Sequence, residues 1–268
     1  MPGRAGTAQV QSLARAVDLL DALADAGGRA TLSEMAVASG LPAPTIHRLL
    51  GTLVARGHVR RESGRRYALG PRLVRLGDVA SRVLGDGVRP VLAELVAATG
   101  ESANLAGLDG DVAVYLAQVP SPHPMRMFTE VGRRVPLHST GVGKALLSGM
   151  SRAAAEELLR RIGTGARTPA TVTEPAELVI ELEQCDHRGY VVDDGEQEVG
   201  VRCVAAPVPG APTPCAVSVS GPSARLAPDD VARVGALVRD AAARLAGQLA
   251  AVPAGPDEPL AAHQGGAP

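Results

Sequence analysis

The sequence predicts an α+β chain in two parts, a small helical unit closed by a β-hairpin and a larger mixed unit built on an antiparallel sheet. Three observations carry this prediction. Apolar residues recur at helical spacing from about residue 10 to 54, and two short runs then flank a Ser63-Gly64 turn. A further helical stripe fills residues 71–98. From Ser102 the pattern changes to strands, then helices, then strands, and it ends in one long helix, the signature of an α+β domain.

The first helix spans residues 10–26, where Leu13, Ala16, Val17, Leu20, Leu23 and Ala24 share a face, and Gly27-Gly28 ends it. Thr31-Leu32-Ser33-Glu34 has the form of a capping box, so a short helix starts there and stops at Gly40. A third helix follows a tight turn, opened by Pro42 as a first-turn residue and closed by Gly57. Ile46, Leu49, Leu50, Leu53 and Val54 use up its apolar face. Ala43, Pro44, Thr45, His47, Arg48 and Thr52 are left outward. Short helix, tight turn and longer helix is helix-turn-helix geometry. The hairpin after it, His58–Glu62 and Arg65–Leu69, has Arg65 and Arg66 at its tip, which suits a wing along a phosphate backbone.

Charge supports the same reading. The net charge is −1, but residues 1–70 carry +4 and the remainder −5. Six arginines and one acid lie between Arg48 and Arg66. A basic patch on a small unit is an electrostatic footprint for a polyanion such as double-stranded DNA. A solvated basic face on a plain helical bundle is the competing explanation.

Gln11–Ala16, Thr45–Leu53 and Tyr67-Ala68-Leu69-Gly70 resemble the DNA-binding domain of the IclR family of regulators. The resemblance implies a winged helix-turn-helix whose third helix enters the major groove of a near-palindromic operator, most often to repress until an effector arrives. It also implies homodimers through the DNA-binding units and homotetramers through the sensors. A single helix-turn-helix reads one half-site, which by itself calls for a dimer.

The stripe over 71–87 is expected to be a linker helix, broken at Gly85-Asp86-Gly87 and restarted at Val88. The sensor then spans 88–250. Its strands are expected at 102–108, 112–118, 125–131, 190–193, 200–208 and 214–220, and its helices at 142–149, 151–162, 175–188 and 228–250. Residues 1–9 and the Pro-, Ala- and Gly-rich 251–268 are expected to be disordered. Val135–Ala145, Gly189–Val208 and Ala216–Pro222 resemble the effector-binding half of the same family, which implies a GAF-like α/β domain. In relatives that bind small 2-oxo acids a backbone pair at a helix start, an Asp, a Cys and two alternating Ser meet the ligand. Here those positions are Gly141, Val142, Asp193, Cys203, Ser218 and Ser220.

The residues themselves are consistent with that assignment. A helix start at Gly141 offers free N–H groups to a carboxylate. Ser218 and Ser220, two apart on a strand, share a face. Asp193 accepts from a ligand N–H or O–H, and its charge disfavours a purely anionic ligand. With no Trp, one Phe and three Tyr, the chain has few walls for an aromatic acid. A small carboxylate or ureide, such as glyoxylate, allantoate or allantoin, fits better, and the set resembles the glyoxylate- and allantoin-responsive branch.

Other classes find little support. Six scattered histidines and the lack of HExxH, GxSxG, P-loop or GxGxxG patterns argue against an enzyme and against a cofactor. Three cysteines with no CxxC pair argue against a disulfide framework and structural zinc. A metal site of His138, Asp193 and Cys203, a Cys/His-dependent enzyme and an activator remain as alternatives. No apolar run approaches the ~18 residues of a membrane helix, and no signal peptide opens the chain. A cytoplasmic location is the expectation.

Overall fold

A computed structural model describes residues 10–127 and 129–250, so the terminal segments 1–9 and 251–268, expected to be disordered, lie outside the described residues. The chain forms two compact units divided between Arg82 and Val83.

In the first unit the helices are α1 (Gln11–Asp25), α2 (Leu32–Ser39) and α3 (Ala43–Ala55). Thr31 caps α2 in the predicted capping box: its hydroxyl accepts from Glu34 N, and the Glu34 carboxylate accepts from Thr31 N at 2.7 Å. Gly40 ends α2 at φ 65°, a left-handed conformation that strongly favours glycine. Pro42 is the N-cap of α3 rather than its first helical residue, and Pro44 occupies the first turn. Leu19, Leu23, Met35, Ile46 and Leu50 interlock in the core. The wing strands β2 (Val59–Arg61) and β3 (Arg66–Leu69) gain a partner the sequence reading missed, β1 (Arg29–Thr31). The sheet order is β1-β3-β2, all antiparallel. Three residues just after a Gly-Gly turn are too few to show alternation, so β1 has no periodic signal.

The predicted break at Gly85-Asp86-Gly87 is absent. One helix, α4, runs Pro71–Thr99 with Pro90 inside it. Glycine costs roughly 1 kcal/mol in a helix. Burial of Val88, Val91, Leu92 and Leu95 in the core immediately after offsets that weakness.

The second unit is a six-stranded antiparallel sheet between two helical layers. Its strands are β4 (Ser102–Asp109), β5 (Val112–Val119), β6 (Arg134–Pro136), β7 (Val191–Asp194), β8 (Val201–Pro207) and β9 (Cys215–Pro222), in the order β6-β5-β4-β9-β8-β7. Among the described residues of 125–131 no strand is formed, and the sheet edge is the shorter β6 instead. Helices α5 (Gly141–Ser148), α6 (Arg152–Ile162) and α7 (Pro175–Arg188) share one core with one sheet face. The C-terminal part of α4 and α8 (Val231–Ala250) share a second core with the other. Residues 228–230, expected in the last helix, form a separate 3-10 turn before α8. Val204, Val219 and Ala103 are register partners facing the α4–α8 layer, while Cys203, Ala205 and Ala106 face α5.

Candidate functional site

The first unit presents an exposed face. Ala43, Pro44, His47, Arg48 and Thr52 are exposed along α3, and Thr45 is half-buried. Thr52 Oγ1 donates back to Arg48 O. Gly51 lies on the same face, and a methyl group there would meet nothing within 4 Å. At the wing tip Gly64 (φ 76°) and Arg65 (φ 61°) turn the chain in left-handed conformations, which leaves Arg65 and Arg66 exposed. Glu62 pairs with Arg60 at 2.8 Å and with Arg29 at 3.3 Å, so part of the basic excess is neutralised below the tip.

The sequence reading passed over Arg61. Its guanidinium donates to Tyr67 Oη at 3.1 Å, lies 5.5 Å from the Tyr67 ring centroid and reaches His47 Nε2 at 3.4 Å. It therefore joins the wing to α3 across a groove of about 750 Å³ that His47, Arg61, Arg65 and Tyr67 help to line. Its signal in the sequence was only one more arginine in a basic run.

The second unit holds a small recess of about 40 Å³, partly open to solvent, between the sheet and the start of α5. Gly141, Asp193 and Cys203 line it, together with Tyr115, Thr129, Arg133 and Gln197. Val142, Ser218 and Ser220, expected beside them, are buried and do not line it. The register explains their place. Asp193 pairs with Cys203 and Cys203 with Ser220, a polar row across β7, β8 and β9, and Ser218 lies two residues along on the same face. Ser220 Oγ donates to Cys203 Sγ at 3.1 Å.

Gly141 is required for close approach, because a Cβ there would sit 2.6 Å from Cys203 Sγ. Thr140 caps α5 through Gly143 N at 3.1 Å. The earliest N–H groups of a helix have no intrahelical partner, so those of Gly141 and Val142 suit an anion. Asp193 Oδ1 accepts from Glu196 N at 2.8 Å and Gln197 N at 3.4 Å. Burial nevertheless pushes the Asp193 carboxyl up to about 7, and the Glu196 side chain adds to the rise. The neutral acid is therefore accessible near neutral pH, which removes the objection that Asp193 repels an anionic ligand. Burial pushes the Cys203 thiol up to about 11, leaving a neutral S–H rather than a nucleophile.

Beneath the cavity Lys144 is fully buried. Its ammonium donates to Glu181 Oε1 at 2.7 Å, Glu196 Oε1 at 2.5 Å and Val192 O at 2.5 Å, tying α5 to α7 and to the turn that follows Asp193. Burial would depress its pKa, but Glu181 and Glu196 outweigh that and hold it above the ordinary value. Tyr115 was missed for a topological reason. A β-bulge between Leu105 and Ala106 shifts the pairing, so Asn104 faces Gln118 while Ala106 faces Tyr115. Tyr115 and Gln118 differ in parity, and the extra residue turns both onto the cavity face.

Among the described residues no three His, Cys, Asp or Glu side chains converge on a possible metal position. His138 Nε2 is instead 2.9 Å from Gly165 O. Among the same residues no helix is long and apolar enough to cross a membrane.

An exposed basic winged helix-turn-helix and a small recess lined by an Asp, a Cys and a helix start in a second domain define a ligand-responsive DNA-binding regulator. Comparison with known proteins makes this specific. The IclR helix-turn-helix domain matches residues 12–63, and the bacterial transcriptional regulator IclR C-terminal domain matches residues 79–246. Over 248 residues the chain is 40% identical to the transcriptional repressor IclR of Escherichia coli K12, covering 88% of this chain and 89% of that protein. It is 32% identical over 251 residues to the HTH-type transcriptional repressor AllR of the same strain, covering 90% and 93%. An IclR homolog from Microbacterium hydrocarbonoxydans, solved with 4-hydroxybenzoate, superposes with a TM-score of 0.70 at 25% identity, covering 90% and 99%. The chain belongs to the IclR family of bacterial transcriptional regulators and is not an enzyme.

Proposed function

We propose that this protein represses a catabolic operon and leaves its operator when a small polar effector fills the Asp193 cavity. Ala43, Pro44, Thr45, His47, Arg48 and Thr52 read the major groove, and Arg65 and Arg66 hold the flanking backbone. Gly141, Asp193 and Cys203, which line the cavity, hold the effector, and Val142, Ser218 and Ser220, buried behind that lining, complete the set once the effector displaces it. In this reading residues 10–70 are the DNA-binding domain, 71–87 the linker and 88–250 the effector domain. Repression is favoured because both E. coli relatives above are named as repressors. Exposed apolar side chains on α1 (Leu13, Val17) and on α4 (Val74, Leu76, Val79) suit a homodimer through the first unit, with a tetramer as the larger assembly.

The observation that carries the effector class is the cavity. It is small, an Asp, a Cys and a glycine helix start line it, and Tyr115 is its one aromatic wall among the described residues. That favours glyoxylate, or a ureide such as allantoate or allantoin, over an aromatic acid like the one bound by the Microbacterium protein. The test is a gel shift with the DNA upstream of the gene and its neighbours, with and without these compounds. The parent should bind one fragment with a steep salt dependence and release it on adding one of them. Arg48→Ala should weaken binding about tenfold or more, on the order of 1–3 kcal/mol for a lost base or phosphate contact, with effector affinity unchanged. A parent that ignores every fragment at low salt, or binds one equally with and without effector, overturns the proposal.

A further inference from the structure

Met127 and Thr129 line the effector recess, and both belong to the stretch between β5 and β6. That stretch is fastened at two points to the end of α4 and the residues just after it. Ser121 Oγ donates to Gly100 O at 2.6 Å, and Ser121 N donates to Ser102 Oγ at 3.0 Å. Four residues on, Met125 O accepts from Arg225 Nη2 at 2.9 Å. The Met125 side chain is 74% exposed, so the carbonyl contact, and not packing, holds the chain there.

Arg225 also holds Glu101, two residues beyond the end of α4. Its Nε donates to Glu101 Oε1, and its Nη2 donates to Glu101 Oε2 at 2.9 Å. Glu101 is buried, and a carboxylate taken out of water needs a paired cation with good geometry, which a bidentate guanidinium supplies. The fit has no slack, because a Cβ on Gly221 would run into the Glu101 carboxylate. Arg225 is fixed in its turn: its N–H donates to Pro222 O at 2.9 Å, and Leu226 beside it is buried in the α4–α8 core. Nη2 carries two hydrogens, and Glu101 Oε2 and Met125 O use both. One guanidinium thus joins the end of α4, the end of β9 and the segment that walls the recess.

We propose that Arg225, seconded by Ser121, is a positioning residue of the effector response. The two ties make the recess segment and the end of α4 move together, so a shift of Met127 and Thr129 on effector binding is passed to the helix that runs from the first unit into the second. The inference rests on the effector reading above and adds how occupancy of that recess is communicated. It also explains why the residue is arginine. A lysine would keep a charge partner for Glu101, but it lacks the planar fork that holds a carboxylate and a carbonyl in one fixed arrangement.

Coupling between two sites is read as a ratio of affinities. The test measures the Kd of the full-length protein for the upstream DNA fragment, with and without saturating glyoxylate, allantoate or allantoin. The parent should bind at least tenfold more weakly with one of these compounds present. Arg225→Lys should bring the two Kd values within about threefold of one another. A role in shaping the recess alone would weaken effector binding and leave the ratio at saturation unchanged, so a variant that keeps the parent's ratio overturns the proposal. Should Arg225→Lys fail to fold, Ser121→Ala, which removes the tie to Gly100 and leaves no buried charge, should lower the ratio at least threefold, and an unchanged ratio again overturns it. A parent whose Kd is the same with and without every compound overturns the effector reading and this proposal together, whereas parent and variants that respond equally overturn this proposal alone.

Discussion

The two functional regions are built in opposite ways. The DNA-binding face is exposed and contiguous in sequence: the thirteen-residue α3 and a short hairpin supply it, and its chemistry is positive charge meeting solvent. The effector cavity is recessed and assembled from distant segments, its lining coming from β5, the segment before β6, the start of α5, β7, the turn after it and β8. In the first, affinity comes from charges that water already stabilises. In the second, Asp193, Cys203, Thr129 and Thr140 have been taken out of water, so their protonation and their partners become part of the stability of the fold. Substitutions on the first should alter binding with little effect on folding, and substitutions in the second should alter both.

The strongest test of that contrast is Lys144→Ala. It leaves Glu181 and Glu196 without their cation, and breaking a buried ion pair costs about 3–5 kcal/mol. Urea unfolding should show the second unit losing that stability while the first keeps its own transition, and equal loss in both would break the contrast. Next is pH. Asp193 is raised from 3.8 to about 7 in the folded protein, so the folded state holds its proton where the unfolded chain has released it. The stabilising effect is fully present below about pH 4 and is lost as pH rises to 7, about 2–4 kcal/mol in all. Asp193→Asn keeps the acceptor for Glu196 N and should flatten that slope in thermal melts between pH 4 and 8. An unchanged slope would assign it to other groups. The smallest effect is Gly51→Ala, which adds a helix-favouring methyl group in open space. It should stabilise the first unit by about 1 kcal/mol in thermal melts, with DNA affinity showing whether that methyl fits the groove.

Much of the fold was legible because it rests on local signals. The Thr31–Glu34 capping box, the Gly40 stop and the apolar stripe of α3 each appear where the residues place them. The errors fell where tertiary contacts outweigh local preference. Gly85-Asp86-Gly87 should have ended a helix, yet the helix continues past it because Val88, Val91, Leu92 and Leu95 are buried just after. β1 exists because β3 needs a partner, not because Arg29-Ala30-Thr31 favours a strand. The cavity was legible only through family resemblance. Physical reading alone could not bring Asp193, Cys203 and Gly141 together, since cross-strand register decides it. Tyr115 stayed hidden because an extra residue in β5, Leu116, reverses the facing of half that strand, and nothing around it in the sequence announces it.

The Arg61 bridge has a consequence for how such a protein can change its target. One guanidinium stacks on the wing tyrosine and touches the histidine of the reading helix. Neither element is then free to adapt alone: a new side chain at position 47 also disturbs the support of the hairpin, and a remodelled hairpin shifts the helix's neighbour. Drift toward a different operator would have to proceed by paired replacements across that bridge, and single changes there would tend to blunt recognition before they redirect it.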